Sequence, residues 1–265
     1  MELSGLNILL AEDNPTNQLV AVQMLESLGA TVTLAVDGAE ALEILDGTIF
    51  DVALIDIEMP RVSGIELIQR LREDSGPVAD MPMIALTAYV MREHRAAITE
   101  AGADGIIAKP ILSIEKFGEE ILEHMRARLA NNTSAMANGA SMVTPEPDGP
   151  ELHEARAGID DEIFERLCKS FDDATLQELF IKIRMDVKGA ADRISASLKN
   201  NDVMELRAAT HILISVAGAI GAVQLQSLAQ CLNSAGHASD IAAIEQDAPK
   251  LLNEAKLVLD FVDAR

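Results

Sequence analysis

Apolar residues arrive in two rhythms along this chain of 265 residues. Up to about residue 129, short runs rich in aliphatic and β-branched residues (NILLA, TVTLAV, DVALI, MIALT and GIIA) alternate with stretches whose apolar positions recur every three to four residues. The runs predict strands, and the stretches predict helices over 15–28, 38–45, 63–72, 91–101 and from the last strand to about 129. Asn14 followed by Pro15 is a helix start, a capping amide before a proline at the first helical position. Strand and helix in strict alternation predict a parallel sheet with crossover helices, a doubly wound α/β domain over 1–129. Beyond residue 152 the rhythm is helical throughout, with segments at 160–171, 173–200, 202–219, 222–235 and 239–262 joined by short Asp, Asn and Gly breaks. Long helices with short joints predict an all-α up-and-down bundle over 152–265. Between the two, residues 130–151 carry three of the nine prolines and no apolar period, which predicts a flexible linker.

Charge narrows the possible partners. With 43 acidic against 21 basic residues and a formal charge of -22, the chain is unsuited to nucleic acid, and no basic stripe offsets the imbalance. Cys168 and Cys231 stand far apart without metal or disulfide spacing, and are expected to be buried thiols in a reducing cytoplasm. No apolar stretch approaches the length of a membrane span, so a soluble cytoplasmic protein with no membrane partner is expected.

The candidate chemistry lies directly behind the strands. Glu12 and Asp13 follow the first run, Asp56 the third, Thr87 closes the fourth, and Lys109 follows the fifth. A parallel sheet gathers these residues along its carboxyl edge, where open α/β sheets build their sites. Three carboxylates held together repel one another unless a cation lies between them, and hard oxygen ligands with room for water suit Mg²⁺. Asp56 is then placed to attack a phosphoryl group in line, with Lys109 neutralising the equatorial oxygens and the Thr87 hydroxyl donating to one of them.

These residues stand in the motifs AEDN, DIEMP followed by Gly64, LTAY and AKP, and together they make the first 130 residues resemble a response-regulator receiver domain. The resemblance implies a flavodoxin-like five-stranded parallel sheet and Asp56 as phosphoacceptor. It implies Asp13, Asp56 and the backbone carbonyl of Glu58 as Mg²⁺ ligands, with Glu12 assisting through water. Thr87 and Lys109 are implied as phosphate sensors and Tyr89 as the switch residue. It further implies a cis peptide between Lys109 and Pro110, a form tolerated mainly before proline.

In the helical part the residue of interest is His211. A helical wheel over 202–221 puts Leu206, Ala209, Leu213, Val216 and Ala217 on a core stripe. His211 falls on the opposite, outward face, bordered by Met204, Arg207, Ala208, Ile214, Ser215 and Gly218. Small neighbours leave the imidazole open to another protein's active site. The segment THILISVAGAIGA, with LQSLAQCL after it, resembles the phosphorylatable motif of histidine phosphotransfer (HPt) domains. Where that family carries a lysine three residues after the histidine, Ile214 stands here, and Ser215 replaces the following glycine. Arg207, one turn earlier, offers a substitute cation, and in the isolated bundle, residues 152–265, Ile214→Lys is expected to accelerate transfer from a phosphorylated receiver.

Two readings follow. The first is a phosphorelay protein with no turnover activity of its own, which takes phosphoryl from a histidine kinase or other phosphohistidine donor onto Asp56 and exchanges it with a histidine, His211 included; another receiver docking at His211 is a further expected partner. The alternative is a binding or dimerisation module gated by Asp56, whose helical domain carries no phosphate. An aspartate-nucleophile phosphatase is disfavoured: such enzymes need a second acid two residues after the nucleophile, and Glu58 there has the wrong length and is followed by Met59 and Pro60. No nucleotide-binding loop of Walker or kinase type appears, so phosphate is expected to come from elsewhere.

Overall fold

The computed structural model describes residues 3–74, 76–87, 92–109, 111, 113–133, 158–169 and 171–265. Five βα units come first: β1 (Asn7–Ala11) and α1 (Pro15–Ser27), β2 (Thr31–Ala35) and α2 (Gly38–Leu45), β3 (Val52–Asp56) and α3 (Gly64–Glu73), β4 (Met83–Thr87) and α4 (Arg92–Glu100), β5 (Gly105–Ala108) and α5 (Ile114–Thr133). All strand pairs are parallel, in the order β2-β1-β3-β4-β5. β3 and β4 are buried along their whole length, as expected of strands covered on both faces. Side chains from alternate strand positions pack into separate cores on the two faces.

Local chemistry sets the helix starts. Asn14 caps α1, its side chain accepting the Asn17 N–H at 2.9 Å while Pro15 occupies the first helical position. Asp37 and Ser63 cap α2 and α3 in the same way. Gly64 is required by close approach, since a Cβ there would lie 2.1 Å from the carbonyl oxygen of Asp56. The absence of that side chain lets α3 begin directly against the end of β3.

The helical half consists of α6 (Asp161–Lys169), α7 (Asp173–Asn200), α8 (Val203–Ala219), α9 (Val223–Ala238) and α10 (Ile241–Asp263). From α7 to α10 each helix packs on its successor, and α10 returns to α7, closing a four-helix ring. The tight α7–α8 joint uses Asn201 in the left-handed conformation (φ 54°), followed by Asp202, which caps α8 by accepting the Glu205 N–H at 3.0 Å.

Some sequence expectations differ from the structure in detail. α5 runs to Thr133 rather than 129, since residues 130–138 contain no glycine or proline to stop it at 129. α9 passes through Gly236 and ends at Ser239 (φ 54°). Gly236 is a packing position rather than a break, since a Cβ there would meet Cγ of Arg207 at 2.9 Å. The cysteines are not both buried: Cys168 is half-buried and Cys231, on the outer side of α9, is exposed. Among the described residues no helix is long and apolar enough to cross a membrane.

The two halves are in contact. α1 packs on both α7 and α8. Val20, Ala21, Met24 and Leu25 of α1 belong to the same apolar cluster as Ile183, Val187, Leu213 and Ile214 of the bundle.

Candidate phosphoacceptor site

The strand order explains the site. β1 and β3 are adjacent, with Ala11 opposite Ile55, so Glu12 and Asp13 emerge beside Asp56, the last residue of β3. β4 and β5 follow, with Thr87 opposite Ala108, and the Lys109 N–H donates to the Thr87 carbonyl at 2.8 Å. Glu12, Asp13, Asp56, Thr87 and Lys109 thus share one carboxyl edge.

Ligand atoms of Glu12, Asp13 and Asp56 all lie within 4.8 Å of one another. Lys109 Nζ reaches Glu12 Oε2 at 2.5 Å and Asp56 Oδ2 at 2.8 Å. The second contact is close by distance but not aligned as a hydrogen bond, so among the described residues Asp56 Oδ2 has no hydrogen-bond donor. Glu12 Oε1 accepts from Asn17 Nδ2 at 3.0 Å and from the Asn14 N–H at 3.3 Å.

Burial raises the Glu12 pKa to about 7; Lys109 opposes the rise and Asp56 adds to it. Asp13 is also raised, first by burial and then by Asp56. Lys109 pays a desolvation cost, but the Asp56 and Glu12 carboxylates outweigh it and hold the ammonium well above its usual value. One buried ammonium thus faces three carboxylates, a negative surplus fit for a cation. The donor set is hard oxygen, the preference of Mg²⁺, and Asp56 Oδ2 is an acceptor without a donor.

His211 stands at the mouth of this pocket. Its Nδ1 lies 2.7 Å from Glu58 Oε2, with 12% of the histidine side chain exposed. The contact is an ion pair by distance and off the in-line direction of a hydrogen bond. Burial disfavours the charged imidazole, yet Glu58 and then Asp56 outweigh it, and the pKa is raised. Lys109 and Asp13 also interact electrostatically with His211.

The outward face expected around His211 is therefore corrected. Ile214 is fully buried, Ser215 is 5% exposed and Gly218 is buried, because α8 turns this stripe into the contact with the receiver half. Ser215 lines a small cavity with Glu12, Asn17, Val20 and Lys109. Met204 and Ala208 remain exposed. Arg207 lines a cavity of about 220 Å³ with Glu58, Ala208, Asn233 and His237, and its buried Nε has no hydrogen-bond partner among the described residues. It therefore lies on the His211 side, as the helical wheel predicts. Tyr89 and Pro110, with the expected switch and cis peptide, lie outside the described residues.

Sequence reasoning missed two residues. The sequence gives no sign that the Glu58 side chain faces His211, nor that Asp186 has a partner in the first half. Asp186, on α7, accepts from Thr16 Oγ1 at 2.6 Å and from Asn14 Nδ2 at 3.2 Å. A lone acid on a helix carries no signal of a partner so distant in sequence.

A five-stranded parallel sheet with acidic, threonine and lysine side chains on its carboxyl edge is the arrangement of a receiver domain. Residues 8–121 match the response regulator receiver domain, and over that segment the chain belongs to this family. Among curated proteins, the aerobic respiration control sensor protein ArcB of Escherichia coli (strain K12) is 27% identical over 257 residues, covering 97% of this chain and 31% of ArcB. The chain thus spans about a third of that relative's length. An uncharacterized 14.6 kDa protein of Leptolyngbya boryana is 37% identical over 114 residues, 43% of this chain and 86% of that protein. Among solved structures, the receiver domain of sensor histidine kinase PA1611 from Pseudomonas aeruginosa PAO1, with a magnesium ion in its active site cleft, is 32% identical with a TM-score of 0.43, covering 46% of this chain and 99% of that one.

Proposed function

We propose that this chain is a phosphorelay protein in which Asp56 accepts a phosphoryl group and exchanges it with a histidine, His211 of its own HPt-like bundle included. The observation that carries the reading is the seating of His211 against Glu58, at the mouth of the pocket that holds Asp56.

Asp13, Asp56 and the Glu58 carbonyl would hold Mg²⁺, with Glu12 reaching it through water. Bound there, the ion would supply charge neutralisation on the phosphoryl oxygens. In the loading step a carboxylate oxygen of Asp56 attacks the phosphorus of a phosphohistidine. The O–P bond forms as the P–N bond breaks, and the electron pair returns to the imidazole nitrogen. Lys109 moves from pairing the bare carboxylates to pairing the phosphoryl oxygens, and Thr87 donates its hydroxyl to one of them. In the exchange step the charge of Glu58 beside Nδ1 of His211 favours the proton on that nitrogen and leaves Nε2 as the nucleophile. Nε2 attacks the aspartyl phosphate, the bond from phosphorus to Asp56 breaks, and the carboxylate is regenerated. Arg207 is the cation closest in role to the missing lysine. The chain assists its own phosphorylation without catalysing turnover of a small substrate, and a histidine kinase or another phosphohistidine protein acts as donor.

Acetyl phosphate with Mg²⁺ tests the loading step: label is expected on Asp56 in wild type and lost in Asp56→Asn. Label on His211 that appears later and is lost in His211→Gln supports exchange. Undiminished total label in Asp56→Asn, or label independent of divalent metal, defeats the assignment. A His211 that never labels while Asp56 does favours the alternative, a phosphorylation-gated docking module.

A further inference from the structure

The receiver half is gripped at the N-terminus of α1 by a residue from the bundle. Asp186 accepts two hydrogen bonds there, from Thr16 Oγ1 and Asn14 Nδ2. Both donors are buried, Thr16 fully. A carboxylate at this end of a helix also meets the positive pole of its dipole. Asn14 uses its other side-chain atom to cap α1 and its backbone N–H to bond Glu12, so Asp186 touches the frame that holds the metal-site carboxylates.

The polar grip has a counterpart. His211 meets Glu58 beside the carboxylate pocket, and one apolar cluster joins α1 to α7 and α8. An apolar contact alone permits sliding, since burial is non-directional. Two polar contacts at separate points, together with that apolar cluster, restrict the sliding of one half on the other. With Asp186 on Thr16 and His211 on Glu58, the imidazole sits beside the pocket that holds Asp56.

We propose that Asp186 is a positioning residue that seats His211 over the receiver of its own chain, so that exchange with Asp56 runs within one molecule and a foreign histidine donor must first displace the bundle. The part concerning exchange rests on the transfer reading above; the part concerning docking does not. Tethering favours the arrangement, because two modules on one chain meet at an effective concentration of roughly millimolar, well above a partner present at micromolar levels.

The test uses the full chain with four variants: Asp186→Lys, Asp186→Asn, Thr16→Val and His211→Gln. Hydrogen exchange reads docking through the amides of α1, and urea unfolding checks that each variant is folded. Asp186→Lys and Thr16→Val are expected to speed α1 exchange about tenfold, while Asp186→Asn, which keeps an acceptor oxygen, stays within about threefold of wild type. Transfer from Asp56 to His211 is expected to be first order and independent of protein concentration in wild type. In Asp186→Lys it is expected to slow at least about tenfold and to become concentration-dependent. His211→Gln should abolish transfer and leave α1 protected. Unchanged α1 protection in a folded Asp186→Lys overturns the proposal. If α1 opens in Asp186→Lys but wild-type His211 never carries phosphate, the transfer reading falls and Asp186 is established as a docking residue alone.

Discussion

Nδ1 of His211 lies 2.7 Å from Oε2 of Glu58, joining the helical half of the chain to the loop directly behind β3. A carboxylate charge 2.7 Å from one imidazole nitrogen favours the proton on that nitrogen and leaves the other to react. Glu58→Ala is therefore expected to slow phosphoryl transfer to His211 by about one order of magnitude, while acetyl phosphate labelling of Asp56 stays within about threefold of wild type. Glu58→Gln, which keeps an acceptor oxygen, should lie between the two. Equal transfer rates in wild type and Glu58→Ala, measured by rapid quench, would show that the contact orients nothing.

Glu12 gives the metal-free protein a characteristic pH dependence. Its pKa is raised from 4.5 to about 7, first by burial and then, against the pull of Lys109, by Asp56. Between these values the folded state holds a proton that the unfolded state has released, so stability falls as pH rises through this window. The contribution is on the order of 3 kcal/mol and should appear as the difference between wild type and Glu12→Gln in urea unfolding at pH 4.5 and pH 8 with chelator present. Saturating Mg²⁺ should flatten the difference by stabilising the ionised carboxylates. A wild-type minus Glu12→Gln difference that does not change with pH would contradict the shift.

The receiver half was legible because each polar residue sits directly behind an apolar run. Strand ends and site residues are then one pattern, and parallel order brings Glu12, Asp13, Asp56, Thr87 and Lys109 together without further information. The helices of the second half were also legible, apart from ends such as that of α9, where Gly236 packs against Arg207 instead of breaking the helix. The docking was not legible. A helical wheel separates the stripe of Leu206 and Leu213 from that of His211, but an apolar residue on the second stripe looks the same whether it faces water or another domain. Ile214 on α8 and Asp186 on α7 acquire their meaning only from α1, far away in sequence.

Limited proteolysis should reflect the same docking. Residues 130–151 have no apolar face to bury, and α5 extends to Thr133, so the first cuts are expected between 134 and 151. Because α1 shares an apolar cluster with α7 and α8, the two fragments should stay together on size exclusion after the cut. They should separate when Asp186→Lys is present. First cuts inside either half would mean that the boundary is misplaced, and wild-type fragments that separate at once would mean that the contact is too weak to matter.

Ile214→Lys distinguishes the isolated helical wheel from the docked structure. Read from sequence, the change restores a family lysine and accelerates transfer. In the structure Ile214 is fully buried within the cluster that joins bundle and receiver, on the stripe that carries His211 and Ser215. A lysine there carries its ammonium into an apolar contact, and an uncompensated buried charge costs about 3–5 kcal/mol. The full chain is therefore expected to lose docking or stability and to transfer phosphate more slowly, whereas Ile214→Leu should cost less than about 1.5 kcal/mol. The measurements are urea midpoints, α1 hydrogen exchange and the transfer rate on the same preparations. Faster transfer in Ile214→Lys with α1 still protected would show that the lysine ammonium reaches the phosphoryl group without leaving the interface, and that the buried isoleucine is not needed to hold the two halves together.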